Sequence, residues 1–248
     1  MPAAPSVLKA IGAIRKIIAS PPAKDASFEL YAAMSALRQK SDKIAGDAET
    51  LAAVLALAPE IEAFRGKGSQ SAARDFSRYI GYLVDEVNYR LPRSGTTTDL
   101  FPDDHSATPT EDVTRCLEML AAHAFSRTQG PPVRSQHAGQ LRAAAWEALA
   151  ETCDLIRHPD CVAHALEVAG DARASTDERQ AAIGFLVSYW GSDEPDEATA
   201  TLLRKLEENP PDRTFLVTVL QAQIELGLND EFGALFAVGD WDDAREED

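Results

Sequence analysis

LRAAAWEALAE (residues 141–151), ERQAAIGFLVS (178–188) and DRTFLVTVLQA (212–222) align without gaps on Arg142, Arg179 and Arg213. Four residues after each arginine come Trp146, Ile183 and Val217, and seven after it come Leu149, Leu186 and Leu220. The blocks are offset by 37 and then 34 residues. Apolar positions at this spacing share one face of a helix. Recurrence every 30 to 40 residues or so means stacked helix pairs, none of which buries its apolar face alone. The sequence therefore predicts an all-α, helical-repeat fold. Between the blocks runs a second recurrence, Pro159-Asp160, Pro195-Asp196 and Asn229-Asp230, which marks the first turn of partner helices. On this register Leu166, Leu203 and Ala237 are equivalent inner positions, and Cys161 falls opposite Glu197 and Glu231, facing solvent.

These blocks and their arginines resemble the HEAT-like class of α-helical repeats over about residues 137–238, in a repeat region assigned to 137–239 and followed by an acidic tail at 240–248. The resemblance implies an α-α superhelix that serves as a scaffold or protein-gripping surface, with lyases and nucleic-acid enzymes a minority use of the class. It names no single activity.

Upstream, apolar periodicity predicts helices over residues 6–19, 26–40, from Asp47 through a kink at Pro59, and 72–91. Phe28, Tyr31, Met34 or Leu30, and Leu37 mark the inner stripe of the second. Together, residues 1–91 read as an N-terminal helical bundle or as divergent repeats. Periodicity vanishes over 92–112, a Pro-, Thr- and Asp-rich linker containing Asp103, Asp104 and His105. A connecting helix with Val113, Leu117, Leu120 and Ala124 then leads through a Pro/Gly loop to residue 136.

The net charge of −16 is unevenly placed: residues 1–90 carry 12 Lys and Arg against 10 Asp and Glu, and residues 91–248 carry 12 against 30. An acidic field of that size repels phosphate backbones and anionic lipid and attracts a cationic partner. Free nucleic acid and membranes are thus excluded as ligands, and a basic protein is the expected partner, with plain solubility the alternative use of the charge. Three cysteines, the lack of a recognisable secretory leader and the lack of an apolar span point to a reducing, cytoplasmic setting.

Two tryptophans lie among carboxylates: Trp190 before Asp193, Glu194, Asp196 and Glu197, and Trp241 beside Asp242. A ring bordered by acids suits a guanidinium or ammonium group, so these residues are the expected partner-binding positions. Arg78, Tyr82, Asp85 and Tyr89 recur at helical spacing and read either as a binding face or as boundary residues half-buried against the next helix. Cys153, His158, Cys161 and His164 are zinc-ligand types at a spacing unlike the familiar fingers, and no metal or cofactor is expected. No nucleophile triad, phosphate-binding loop or metalloprotease helix is legible. The expected function is a non-enzymatic protein-binding module with an acidic surface, in one form an immunity- or antitoxin-type inhibitor of a basic protein. The alternative is a helical-repeat enzyme, a small-molecule lyase or base-excision type, using Trp146 or Trp190 with Asp193 or Glu147.

Overall fold

A computed structural model describes residues 3–20, 26–64, 69–90, 111–130, 136–153 and 156–229. These residues are all-α, without strand. The helices are α1 (Pro5–Ala19), α2 (Ala26–Arg38), α3 (Ser41–Ile44), α4 (Ala48–Leu55), α5 (Ala58–Ala63), α6 (Ser69–Tyr89), α7 (Glu111–Thr128), α8 (Gln136–Ala150), α9 (Pro159–Gly170), α10 (Thr176–Trp190), α11 (Glu197–Glu208) and α12 (Arg213–Glu225). The chain forms two compact units, residues 1–127 and 128–248. No helix among the described residues is long and apolar enough to cross a membrane.

In the first unit α1 packs on α2, α4 and α5, and α6 packs on α2, α3 and α5. Asp47 caps α4 by accepting from the Glu49 and Thr50 N–H groups at 3.0 Å. Leu30, Met34, Leu37, Phe76, Ile80, Leu83, Val84 and Val87 are buried. Phe28 and Tyr31, expected on the inner stripe of α2, are exposed instead. Leu30, Met34 and Leu37 already supply a four- and three-residue apolar stripe, which leaves Phe28 and Tyr31 on its outer flank.

In the second unit α8, α10 and α12 lie side by side, α9 neighbours α11, and each of α9 and α11 packs on the helix that follows it. Burial recurs with one constant step. Arg142, Ala145, Trp146, Ala148 and Leu149 in α8 match Arg179, Ala182, Ile183, Phe185 and Leu186 in α10, at an offset of 37. The same step carries Glu178, Ala182, Ile183, Phe185 and Leu186 onto Phe215, Val219, Leu220, Ala222 and Gln223 in α12. It also relates the N-cap of α10, Ser175, to that of α12, Asp212. The 34-residue offset read from the sequence is therefore wrong for α12: Arg213 is exposed and Val217 only half-buried. The partner helices keep a step of 38, with Cys161, Val162, Ala165 and Val168 matching Thr199, Ala200, Leu203 and Leu206. Cys161 is thus buried and equivalent to Thr199, not to Glu197, and burial pushes its thiol up to about 11.

The arginines of α8 and α10 have one shared task. Arg142 donates to the carbonyls of Thr128, at the end of α7, and of Gly130, and Arg179 donates to the Ala169 carbonyl near the end of α9 at 2.9 Å. Each guanidinium supplies donors to carbonyls that a helix end leaves without an intrahelical partner. Each also meets the residue 36 positions on, Glu178 for Arg142 and the Phe215 ring for Arg179, whose centroid lies 4.4 Å from the guanidinium carbon. At the matching position α12 carries Leu216.

Gly139, on the first turn of α8, sets the approach to α10. A Cβ there would lie 2.0 Å from the Ser175 Oγ and 2.6 Å from its Cβ. Ser175 accepts from the Glu178 N–H and caps α10, so it cannot withdraw without releasing that donor. Gly139→Ala should cost about 1–3 kcal/mol by overpacking, read as a lower urea midpoint at unchanged slope.

Candidate functional site

The acidic turn between α10 and α11 begins where α10 stops. Gly191 takes φ of +53°, a left-handed backbone that suits glycine, and its N–H closes on the Val187 carbonyl at 2.8 Å. Asp196 then caps α11 by accepting from the Thr199 N–H at 2.8 Å. Between these ends Asp193, Glu194, Asp196 and Glu197 are all exposed. Trp190 is half-buried, and its indole N–H donates to the Thr199 Oγ1 at 3.2 Å. The ring is thus held against the first turn of α11.

The structure brings to this turn two residues that the sequence reading missed. Arg157 pairs with Asp193 at 2.6 Å, and its guanidinium carbon lies 5.5 Å from the Tyr189 ring centroid. The Asp193 carboxylate raises the Arg157 pKa further through this contact. Tyr189 meets Trp190 edge to face, with centroids 5.2 Å apart. Behind them Tyr189 neighbours Phe185 at 6.1 Å, and Phe185 neighbours Trp146 at 5.2 Å, so a file of rings runs from the core of the unit to the turn. The expected chemistry, a guanidinium held by a ring and a carboxylate, is present within the chain itself, on Tyr189 rather than Trp190. Its sequence signal was the 36-residue separation of Arg157 from Asp193, the separation that also joins Arg142 to Glu178 and Arg179 to Phe215.

Roles within the turn differ. Asp193 is engaged by Arg157 and Asp196 by the helix end, whereas Glu194 and Glu197 project from it as exposed carboxylates. Trp241 and Asp242 lie outside the described residues, as do Asp103, Asp104, His105 and the acidic tail.

The second candidate centre is internal. Trp146 is fully buried, and Glu147 occupies the exposed side of α8, so the two do not share a surface. Trp146 instead lies beside His164 with the rings tilted and their centroids 5.6 Å apart, and His164 Nε2 donates to the Thr128 carbonyl at 2.8 Å. Arg142 and Glu178 form an ion pair at 2.8 Å. Burial pushes the Glu178 carboxyl above its ordinary range, while the Arg142 and His164 charges pull it back. Within the second unit this group ties Thr128 to α8, α9 and α10.

Of the metal-ligand types, Cys153 and Cys161 are buried, and the His158 Nε2 lies 3.1 Å from the Thr152 Oγ1. With His164 Nε2 on a carbonyl, the four do not converge. Among the described residues no group of three or more His, Cys, Asp or Glu side chains is placed to hold a metal ion.

Comparison with protein-family models, with characterised proteins and with solved structures finds no match.

Proposed function

We propose that the chain is a HEAT-like helical-repeat protein whose acidic second unit binds a basic protein through the turn from Trp190 to Glu197. The observation that carries this reading is Arg157 on Tyr189 and Asp193, a guanidinium already seated between a ring and a carboxylate of that turn. Glu194 and Glu197, exposed beside the half-buried Trp190, offer the same chemistry to an outside partner. Residues 128–248 carry 9 Lys and Arg against 24 Asp and Glu, a field that steers a basic protein inward before the turn engages it. The constant repeat step supports the solenoid reading, since it stacks equivalent helices as a repeat superhelix does. The enclosure of Trp146 weighs against an enzyme site at that end of the ring file.

The partner is to be captured from the native host at low and moderate salt, identified by mass spectrometry and purified. Charge reversal belongs at Glu194 and Glu197, because reversing Asp196 would also uncap α11 and reversing Asp193 would release Arg157. Glu194→Lys with Glu197→Lys should slow association about ten-fold or more at low salt. Glu29→Lys with Glu49→Lys, two exposed acids of the first unit, should leave the rate within about two-fold. Equal effects of the two pairs would remove the turn from the contact.

A further inference from the structure

Five large hydrophobic side chains are exposed among the described residues, and four of them fall on α2 and α6: Phe28 (70% exposed), Tyr31 (60%), Tyr82 (49%) and Tyr89 (67%). Single exposed apolar residues are ordinary on a surface, but a concentration of aromatic rings on one face is a mark of interfaces. On α6, Ser71, Asp75, Arg78, Tyr82, Asp85 and Tyr89 follow at steps of 4, 3, 4, 3 and 4, opposite the buried stripe. That is the seam spacing of paired helices, and from Ser71 to Tyr89 it spans about 27 Å. We propose that the chain pairs with a second copy of itself along this face, the two α6 helices antiparallel and Arg78 of each copy against Asp85 of the other.

The face is complementary to itself, as a two-fold contact requires. With Arg78 opposite Asp85, the axis passes between Gly81 and Tyr82. In the same register Tyr89 of one copy comes level with Arg74 of the other. A groove of about 320 Å³, lined by Phe28, Tyr31, Met34, Ala72 and Asp75, opens beside α6 at the level that Tyr89 of the second copy reaches in this register.

Charge selects the second copy over another kind of occupant. Residues 1–127 carry 15 Lys and Arg against 16 Asp and Glu, so two copies meet through nearly neutral units, whereas pairing through residues 128–248 would set two strongly acidic fields together. This surface lies on a different unit from the acidic turn, and the proposal holds or fails independently of the one for that turn.

The test uses the full chain in sedimentation equilibrium. The wild type should be a dimer; Arg78→Glu and Asp85→Arg, each at an exposed position, should weaken it at least about ten-fold by placing like charges in contact, with melting temperatures unchanged. Mixing the two weakened variants should restore the dimer, since each Glu at position 78 then meets an Arg at position 85, and the original pair re-forms at the other end of the seam. Tyr89→Ser should weaken the dimer without touching either charge. A wild type that stays monomeric up to about 100 μM, single variants that dimerise as the wild type does, or a mixture that remains monomeric would each overturn the proposal.

Discussion

Replacing Arg142 with alanine should lower the stability of the second unit by about 3–5 kcal/mol, measured by urea unfolding. The change leaves the fully buried Glu178 carboxylate without the guanidinium 2.8 Å away, and it strips a donor from the Thr128 and Gly130 carbonyls. Removing both partners, as in Arg142→Met with Glu178→Leu, should recover most of the loss, because a buried pair is replaced well by apolar side chains of similar volume. The carbonyls would remain unserved, which keeps about 1–2 kcal/mol of the deficit. The pH dependence has a fixed sign. Burial raises the folded Glu178 carboxyl above its ordinary 4.5, so just above that value the native chain still holds a proton that the unfolded chain has released. This group therefore makes stability fall as pH rises through that window. Arg142→Ala should steepen the fall, and Glu178→Gln should abolish this contribution.

Phe215→Ala should cost about 3–5 kcal/mol, while Val217→Ala should cost less than about 1 kcal/mol. Phe215 is fully buried under the Arg179 guanidinium, and Val217 is half-exposed on the flank of α12. The sequence-based offset of 34 ranks Val217 as the inner residue, so the pair of variants separates the two registers directly. Equal costs would contradict the 37-residue step.

That misreading has a physical origin. A helix turns once in 3.6 residues, so a shift of three or four positions preserves an apolar match, and Leu220 is inner in either register. Matching on arginine chose the wrong one. Arg142 and Arg179 are long side chains whose guanidinium groups reach carbonyls at the ends of α7 and α9, while Arg213 is the exposed first residue of its helix, next to the Asp212 cap. Capping residues held the correct answer: Ser175 and Asp212, each the oxygen-bearing residue before a helix, are 37 apart. A separate slip of two residues placed Cys161 in solvent, because Pro159 follows the cap of α9 whereas Asp196 is itself the cap of α11.

All-α class, the positions of most helices and the core stripes of α6 and α7 were legible, since each rests on a long amphipathic pattern or a capping residue. The acidic turn was legible as composition and not as geometry. Which acids are engaged depends on Arg157, 36 residues before Asp193, and on Tyr189, whose ring orientation no spacing in one helix reveals. The exposure of Phe28 and Tyr31 was equally hidden, because hydrophobic type alone does not say which flank of α2 faces α1 and α6.

The most direct measurement is the association rate of the purified chain with its captured partner, at about 50 and about 500 mM salt, for the wild type and for Glu194→Lys with Glu197→Lys. An acidic turn that engages a basic protein predicts a wild-type rate that falls steeply with salt and a variant rate that is already slow at low salt and nearly flat. A wild-type rate independent of salt, or a partner that is itself strongly acidic, would contradict it.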